Sequence, residues 1–398
     1  YRQYIARLYI IMKVSNVVEN NAEIKFVLSG VDCTIANGLR RTILSDIPCV
    51  VMKAFPHDQC NVNITINTSK FNNEIIKQRL ACIPVHIEDL ETPIDQLELE
   101  VDVENKTEDV MYVTTQDIKI RNNKTQTYLS DDDSRDIFPP NPMTGYYIDI
   151  IRLRPRLTPT SHGERIVFTS SLSIATVDDN SMYNMVSTCC YGNTQDETKV
   201  NEQYKIKEQE LKDSGVKGDN LELAMKDWTL LDAQRYFIPN SFDFTVKTVG
   251  VYTCKELLKI GCERLIEKAK TVKAVIESPG NNRNVDDDAG VSEDPENKTK
   301  KDVTIETTSS TIQNGYDITI DNEDYTLGTM LQYMVYSSHY EGDKQMTFCG
   351  FKKFHPHDTY IMVRVGYKEP TEKSIVLGHM IEGLTNIVSV YENLMNMF

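Results

Sequence analysis

The chain has 398 residues, 40% of them hydrophobic, and a formal net charge of −16 with a pI of about 5.0. This length and hydrophobic content predict a sizeable core divided between two or three domains. The acidic balance excludes an extended phosphate-binding surface, because such surfaces concentrate Lys and Arg, and it favours protein partners over DNA. No apolar run reaches the roughly eighteen residues of a membrane span. The nine cysteines contain no C-x-x-C pair, which favours reduced thiols.

The N-terminal segment predicts one or two strands, with Ile24, Phe26 and Leu28 alternating on one face. A helix follows this segment. Asp32 can cap the helix by accepting hydrogen bonds from its free backbone N–H groups, and Pro48 stops it.

This first helix has two distinct faces. At 100° per residue, its core-facing stripe lies within an arc of about 120° and consists of Ile35, Ala36, Leu39, Ile43 and Ile47. The outer face carries Asn37, Arg40, Arg41 and Leu44, and Arg41 points almost directly away from the stripe. Two guanidinium groups beside a leucine suit a partner protein better than water alone. A helix with a solvated basic edge is the alternative.

The helix motif, ANGLRRTILSDIP at residues 36–48, resembles the first helix of the RNA polymerase assembly subunits. These are the bacterial alpha subunit, the archaeal D subunit and the third-largest subunit of eukaryotic RNA polymerase II. The resemblance implies that Arg40 and Arg41 face the second-largest, catalytic subunit. Asn37 and Leu44 complete this predicted partner-binding surface.

A second helix is predicted within residues 67–85, where Asn72 or Asn73 can cap it and Pro84 ends it. Its predicted buried side consists of Ile75, Ile76, Leu80 and Ile83. The stretch resembles the insertion domain of the same family, in which an N-T-S segment, a helix and an Ile-Pro exit follow in this order.

The middle of the chain is rich in short alternating runs. Residues 97–172 predict a small sheet-based insertion. The acidic run at 131–136 predicts a solvated loop, because three adjacent Asp side chains rarely converge on one ion. The polar segment 193–220 predicts a mobile excursion. In the family the insertion domain often holds zinc through cysteines, but the stretch at 87–101 has none, so no structural metal is expected.

Firm patterning returns with a strand in which Phe242, Phe244 and Val246 alternate. Thr253 and Glu256 then form a capping box at the start of a helix. The apolar face of that helix consists of Cys254, Leu257, Leu258, Gly261, Leu265 and Ile266. A small residue at the middle of such a face allows close packing on another helix, and the resemblance implies a helix that pairs subunits.

Residues 276–303 combine Gly, Pro, Asn and charge with few apolar side chains, which predicts a disordered linker. A second unit follows it. Asp324 can cap a helix that runs to about His339, with a stripe of Leu327, Met330, Leu331 and Met334. Two strands then meet at a turn, in which His355 and His357 lack the further ligands of a zinc site.

The last helix begins at about Thr371 and repeats apolar residues at three- and four-residue steps: Leu377, Met380, Leu384, Ile387, Tyr391, Leu394 and Phe398. Two motifs of this second unit, DYTLGTML at 324–331 and CGFKKFHP at 349–356, resemble the archaeal L subunit and the eleventh subunit of RNA polymerase II. The chain therefore resembles both members of an obligate heterodimer joined end to end.

The predicted fold class is α+β, with two alpha-type dimerisation half-units that pair within one chain through helices and a β-rich insertion domain in the first half. The predicted domains are a D-like dimerisation domain at 1–54 and 237–275, an insertion domain at 55–236, the linker at 276–303 and an L-like dimerisation domain at 304–398. The residues predicted to pair the half-units are Leu257, Leu258, Gly261, Leu265, Leu327, Leu331, Leu384, Ile387 and Tyr391.

The resemblance implies a non-catalytic platform that docks the largest and second-largest polymerase subunits, with small accessory subunits as further partners. It implies no membrane contact and no direct sequence-specific contact with nucleic acid. No cofactor is expected in this chain, since the catalytic magnesium belongs to the largest subunit. On this reading, replacing Arg41 by Glu weakens co-purification with the second-largest subunit and leaves the fold intact.

Fusion of the two subunits is a feature of large nucleocytoplasmic DNA viruses. It implies a viral enzyme in the virion and the host cytoplasm, with the nucleus as the alternative location. Two other functions stay open from the residues alone. One is a scaffold for an assembly outside transcription, and the other is a metal-dependent hydrolase or transferase with its site in the β-rich middle.

Overall fold

The computed structural model describes residues 12–156, 158, 161–278 and 302–398. We call residues 12–278 the first half and residues 302–398 the second half. Most of the predicted linker, residues 279–301, lies outside the described residues, as do residues 1–11 of the predicted N-terminal strands.

The described chain forms helices and strands in the following order. The helices are α1 (Cys33–Ser45), α2 (Asn73–Ala81), α3 (Asp131–Ile137), α4 (Glu197–Asp213), α5 (Asp219–Leu230), α6 (Cys254–Glu277), α7 (Tyr325–Val335) with a π-helix (Tyr336–Gly342), and α8 (Lys373–Met395). The strands of the first half are β1 (Lys13–Glu19), β2 (Glu23–Ser29), β3 (Cys49–Val51), β4 (Val62–Asn67), β5 (Leu97–Glu104), β6 (Met111–Thr114), β7 (Lys119–Asn122), β8 (Thr127–Tyr128), β9 (Asp149–Leu153), β10 (Arg165–Ser171), β11 (Ser173–Ala175), β12 (Val186–Gln195) and β13 (Phe237–Thr248). Those of the second half are β14 (Val303–Thr307), β15 (Gly315–Asp321), β16 (Met346–Lys352) and β17 (Tyr360–Tyr367). This mixture of helices and strands confirms the predicted α+β class.

The chain divides into two compact units. The first contains the described residues up to Thr42 together with Thr188–Val246 and Leu258–Phe398, and the second contains Ile43–Ser187 and Lys247–Leu257. The described parts of both predicted dimerisation half-units therefore lie largely within the first unit. The predicted domain boundaries themselves stay predictions.

Two four-stranded sheets form the frame of the first unit, in the orders β1-β2-β13-β12 and β14-β15-β17-β16. In the first sheet, the ring of Phe26 stacks on Phe244 with centroids 5.1 Å apart. Phe398, beyond the end of α8, contacts the same Phe26 ring edge-on at 4.9 Å. The second half therefore closes onto the sheet of the first half.

The second unit contains the predicted β-rich insertion. Its strands form a five-stranded sheet, β4-β10-β5-β7-β8, and the two-stranded pairs β11-β3 and β6-β9. Helix α2 begins where predicted, because Asn72 accepts a hydrogen bond from the Ile75 backbone N–H at 3.1 Å. Ile76 and Leu80 are fully buried, but Ile75 is 43% exposed. The prediction for Ile75 was wrong because this residue lies about 100° from Ile76 around the helix, outside the narrow buried side.

The acidic run predicted as a loop is the short helix α3. The Ser130 side chain accepts a hydrogen bond from the Asp133 backbone N–H at 3.1 Å and caps it. Carboxylates in the first turn of a helix are stabilised by the partial positive charge there, which explains why Asp131, Asp132 and Asp133 favour a helix over a loop. All three are exposed.

The segment predicted as a mobile excursion, 193–220, contains α4 and the start of α5. Asp196 caps α4 by accepting a hydrogen bond from the Lys199 backbone N–H at 3.2 Å. The two helices share a small core around Met225, Trp228 and Ala233. These apolar residues follow residue 220, so a window that ends there contains only the polar part of the hairpin.

In the second half, helix α7 begins at the predicted cap, where Asp324 accepts a hydrogen bond from the Thr326 backbone N–H at 2.9 Å. It continues as the π-helix, which holds the buried imidazole of His339. The Nδ1 of His339 lies 2.9 Å from an Asp343 carboxylate oxygen, and its Nε2 lies 3.4 Å from a Glu382 carboxylate oxygen. The ring therefore sits between two acidic groups.

A second histidine completes this cluster. The ring of His379, on α8, stacks on His339 with centroids 3.8 Å apart. Its Nδ1 lies 2.8 Å from the Tyr367 hydroxyl on β17. Burial lowers the pKa of His379 to about 4, and the neighbouring His339 lowers it further while Asp343 acts in the opposite direction. A proton on His379 is therefore unfavourable in the folded chain.

Candidate assembly interface

Helix α1 has the two faces that its sequence predicts. Asp32 caps it, because one Asp32 carboxylate oxygen accepts hydrogen bonds from both the backbone N–H and the hydroxyl of Thr34 at 2.8 Å. The predicted core stripe is at most 2% exposed throughout: Ile35, Ala36, Leu39, Ile43 and Ile47. Burial of this stripe fixes the helix on the core and turns the arginines to the other side.

Arg40 lies on the outer face with its Nε donating a hydrogen bond to the Asn37 side-chain oxygen at 3.0 Å. Asn37, Arg40 and Leu44 are all half-buried. Arg40 also lies near Cys189 on β12. Burial raises the pKa of that thiol to about 12, and the Arg40 charge opposes the rise. Three of the four predicted partner-binding residues therefore form a continuous, partly accessible strip along α1.

Arg41, the fourth predicted partner-binding residue, reaches into the second half of the chain. Its Nε donates a hydrogen bond to the Thr326 hydroxyl at 3.0 Å, and its Nη2 donates one to an Asp324 carboxylate oxygen at 3.1 Å. Arg41 and Asp324 keep 40% and 39% of their side chains exposed. We call Arg41, Asp324 and Thr326 the inter-half clasp.

Asp324 has two roles in the inter-half clasp, since it also caps α7. Burial favours its neutral form, but the hydrogen bonds from Thr326 and the positive charges of Lys268 and Arg41 together hold the pKa of Asp324 below its ordinary value. The carboxylate is therefore ionised at neutral pH and available to Arg41. The sequence indicated the cap but not the arginine that shares it.

The inter-half clasp changes the expected effect of replacing Arg41 by Glu. Because the new carboxylate would face Asp324, we expect Arg41→Glu to weaken the contact between α1 and α7 by about 1 kcal/mol, the order of magnitude for a partly exposed pair. The measurement is amide hydrogen exchange on α7, read as protection factors. The same change in an Asp324→Asn background is the control, because Asn still caps the helix but carries no charge. Equal losses in both backgrounds would contradict an ion pair between the halves.

Gly38 marks the closest approach between α1 and the second half. A Cβ atom at this position would lie 2.6 Å from the Met330 Sδ on α7 and 2.8 Å from the Tyr391 hydroxyl on α8. The Tyr391 hydroxyl donates a hydrogen bond to the backbone carbonyl of Ile35 at 2.9 Å. Tyr391 is fully buried, and this burial raises the pKa of its hydroxyl well above the ordinary value. Sequence reasoning missed Gly38, although a glycine inside an apolar helix pattern often marks such an approach.

The other residues predicted to pair the halves lie in the core. Leu257, Leu258, Leu265, Leu327, Leu331, Leu384 and Ile387 are fully buried, and Gly261 is buried. A Cβ on Gly383 would lie 2.9 Å from Leu331 Cδ1, so α7 and α8 pack closely within the second half. Of the predicted pairing set, Tyr391 makes the described contact across the halves, and the pairing role of the rest stays a prediction.

Polar contacts that the sequence did not indicate join α6 to α8. Lys270 Nζ lies 3.2 Å from a Glu392 carboxylate oxygen, and Lys273 Nζ lies 3.1 Å from the Thr385 hydroxyl. Both contacts are exposed, so they contribute little energy and mainly align the two helices. Within the described ranges, no group of three or more His, Cys, Asp or Glu side chains could hold a metal ion. The helices described here include none long and apolar enough to cross a membrane.

Comparison with known proteins identifies the family. The profile described as the RNA polymerase Rpb3/Rpb11 dimerisation domain matches residues 25–269, and a second profile with the same description matches residues 316–396. Helix α1 lies in the first match, and α7 and α8 lie in the second. The two helical contributions to the interface therefore come from two copies of one type of domain.

Three relatives show the extent of the similarity. The DNA-directed RNA polymerase subunit Rpo3 of Pyrococcus furiosus is 27% identical over 269 residues, which are 62% of this chain and 90% of the relative. Rpo3 of Thermococcus kodakarensis is 44% identical over 77 residues, 19% of this chain and 27% of the relative. The RNA polymerase II subunit RPB3 of Schizosaccharomyces pombe is 31% identical over 80 residues, 20% of this chain and 24% of the relative. The chain thus belongs to the Rpb3/Rpb11 dimerisation family of non-catalytic RNA polymerase assembly subunits, and it carries two such domains in one polypeptide.

Proposed function

We propose that this chain is the assembly platform of a multisubunit DNA-directed RNA polymerase, and that it pairs its two halves intramolecularly and docks the two largest subunits. The observation that carries this proposal is the position of α1. The helix with the polymerase motif contacts α7 through Arg41 and α8 through the Ile35 carbonyl, both within one chain. A tether makes such pairing intramolecular, with an effective concentration on the order of millimolar.

The docking surface in this proposal is the outer strip of α1. Asn37 orients the Arg40 guanidinium, which leaves its terminal nitrogens available for a carboxylate of the partner. Leu44 adds an apolar contact one turn further along the helix. Arg41 lies at the edge of this strip, and its main described contact is within the chain.

Co-expression with the two largest polymerase subunits tests this proposal. We expect Arg40→Glu to reduce co-purification of the second-largest subunit at least tenfold, because a carboxylate at this position would repel the partner group that the guanidinium binds. Arg40→Lys should retain part of the binding. The matched control is Arg152→Glu, the same charge change at an exposed residue of β9.

The wild-type chain must retain both large subunits through purification for the platform role to hold. If it retains neither, the proposal is wrong. If it retains both and Arg40→Glu behaves like Arg152→Glu, the chain is a platform but docks through another surface. A viral origin, with location in the virion and the host cytoplasm, is supported only by the fused arrangement and remains part of the proposal.

A further inference from the structure

The hairpin of α4 and α5 has an inner face that is already packed. Met225, Trp228 and Ala233 are 4%, 7% and 0% exposed, and partly buried side chains from both helices surround them. The ring of Tyr204 on α4 contacts Trp228 at a centroid distance of 5.9 Å. The hairpin therefore closes its own small core without the opposite face of α5.

That opposite face carries large apolar side chains in solvent. Leu223 is 60% exposed and Leu230 is 62% exposed, and they lie seven residues apart, which places them on the same side of the helix. Leu231 follows directly and is 72% exposed. A single exposed leucine needs no explanation, but a group of three on one helix is typical of an interaction site. We call these three residues the leucine face.

The charges beside the leucine face are mostly negative. Asp219, Glu222 and Asp227 are exposed on α5, against one lysine, Lys226. Pairing of two copies of this chain through the face would bring like charges together, which costs free energy. A partner with lysine or arginine beside its apolar residues would gain instead from both burial and charge.

We propose that the leucine face docks an apolar segment flanked by lysine or arginine in another chain of the polymerase. This inference rests on the proposed platform function and adds a second contact, separate from the α1 strip. The leucines supply the buried area, and the carboxylates set the orientation of the partner and speed its association. The hairpin lies between β12 and β13, so it extends the first half beyond its sheet.

Substitution in the reconstituted polymerase tests the leucine face. Combined Leu223→Arg and Leu230→Arg keeps good helix formers at both positions while it removes the apolar contact and repels a basic partner. We expect at least a tenfold loss of one polymerase subunit during washing. Ile206→Arg is the matched control, since Ile206 is 51% exposed on the neighbouring helix of the same hairpin. It should leave subunit retention unchanged.

Charge reversal and cross-linking identify the partner. Asp219→Lys combined with Asp227→Lys should weaken retention of the same subunit several-fold, and this loss should shrink in high salt because exposed charges are screened. Benzoylphenylalanine in place of Leu223 should cross-link under light to an apolar segment flanked by lysine or arginine in that subunit. The same photoreactive residue at Ile206 is the control position.

The outcomes separate the two proposals. Retention of every subunit by the double arginine variant, or cross-links only to this chain or to a second copy of it, would overturn the inference and leave the platform function standing. A wild-type chain that binds no polymerase subunit would overturn the platform function itself. Selective loss of one subunit, with cross-links to its basic-flanked apolar segment, supports both.

Discussion

Replacing Gly38 by Val is expected to weaken the contact between the two halves by about 3 kcal/mol, the upper part of the range for overpacking a core. The reason is the space at this position, where a Cβ atom would lie 2.6 Å from Met330 Sδ and 2.8 Å from the Tyr391 hydroxyl. A branched side chain adds two further methyl groups to that contact. The measurement is amide hydrogen exchange on α1 and α8, because local opening of the interface lowers protection there first.

The chain contains a matched control for this substitution. Gly378 lies on α8, and a Cβ atom there would meet nothing within 4 Å, so Gly378→Val should leave protection unchanged or raise it slightly through helix propensity. A second site provides a rescue, since Met330→Ala removes the sulfur that the new side chain would meet. Gly38→Val should cost less in the Met330→Ala background than in the wild type. If Gly38→Val and Gly378→Val have the same effect, α1 does not approach the second half at Gly38.

Acidification is expected to destabilise the packing of α8 through His379. Its folded-state pKa is about 4, below its ordinary value of 6.5, so between these values the unfolded chain binds a proton that the folded chain does not. Stability is therefore complete above about pH 6.5 and falls as the pH falls towards 4. Each pKa unit corresponds to about 1.4 kcal/mol, and with allowance for partial solvent access we expect a total loss of about 2 kcal/mol.

The groups that face His379 suggest how to isolate this effect. Tyr367 contacts its Nδ1, His339 stacks on its ring, and Asp343 lies close enough to oppose the pKa shift. His379→Asn keeps an acceptor for the Tyr367 hydroxyl but does not titrate. We expect it to reduce the acid-induced loss of α8 protection factors by about 2 kcal/mol.

The control for His379→Asn is His57→Asn, at an exposed histidine, which should keep the wild-type pH dependence. An acid response that His379→Asn leaves unchanged would assign the effect to other groups. Glu382 is one such group, because burial raises the pKa of its carboxyl.

Local patterns in the sequence predicted much of the fold. The stripe of α1, the cap at Asp32 and the capping box of Thr253 and Glu256 depend only on neighbours in the chain, and the structure confirms each of them. Periodicity also indicated α8 and the β-rich insertion. Such features need no knowledge of how distant segments meet.

The contacts that define the interface depend on segments far apart in the sequence. Arg41 and Asp324 are 283 residues apart, and their contact requires both the rotation of α1 and the position where α7 begins. An arginine opposite a buried stripe looks like a solvent or partner residue until that position is known. The same holds for Gly38, whose neighbours Met330 and Tyr391 belong to different helices.

The hairpin of α4 and α5 shows a different reason for failure. Its N-terminal part is polar enough to resemble a mobile segment, and no residue of α4 is buried. The apolar residues that hold it, Met225 and Trp228, come later in the chain. Composition alone could not show that the two parts fold against each other.

The bond from Tyr391 ends on a main-chain oxygen, the carbonyl of Ile35, and not on a side chain. Every amino acid presents that oxygen, so mutations along α1 can accumulate without removing the acceptor. Discrimination against a foreign partner helix must then come from the shape at Gly38 and the charge at Arg41. A swap of α1 between related polymerases should therefore succeed or fail according to these two positions, however different the rest of the helix has become.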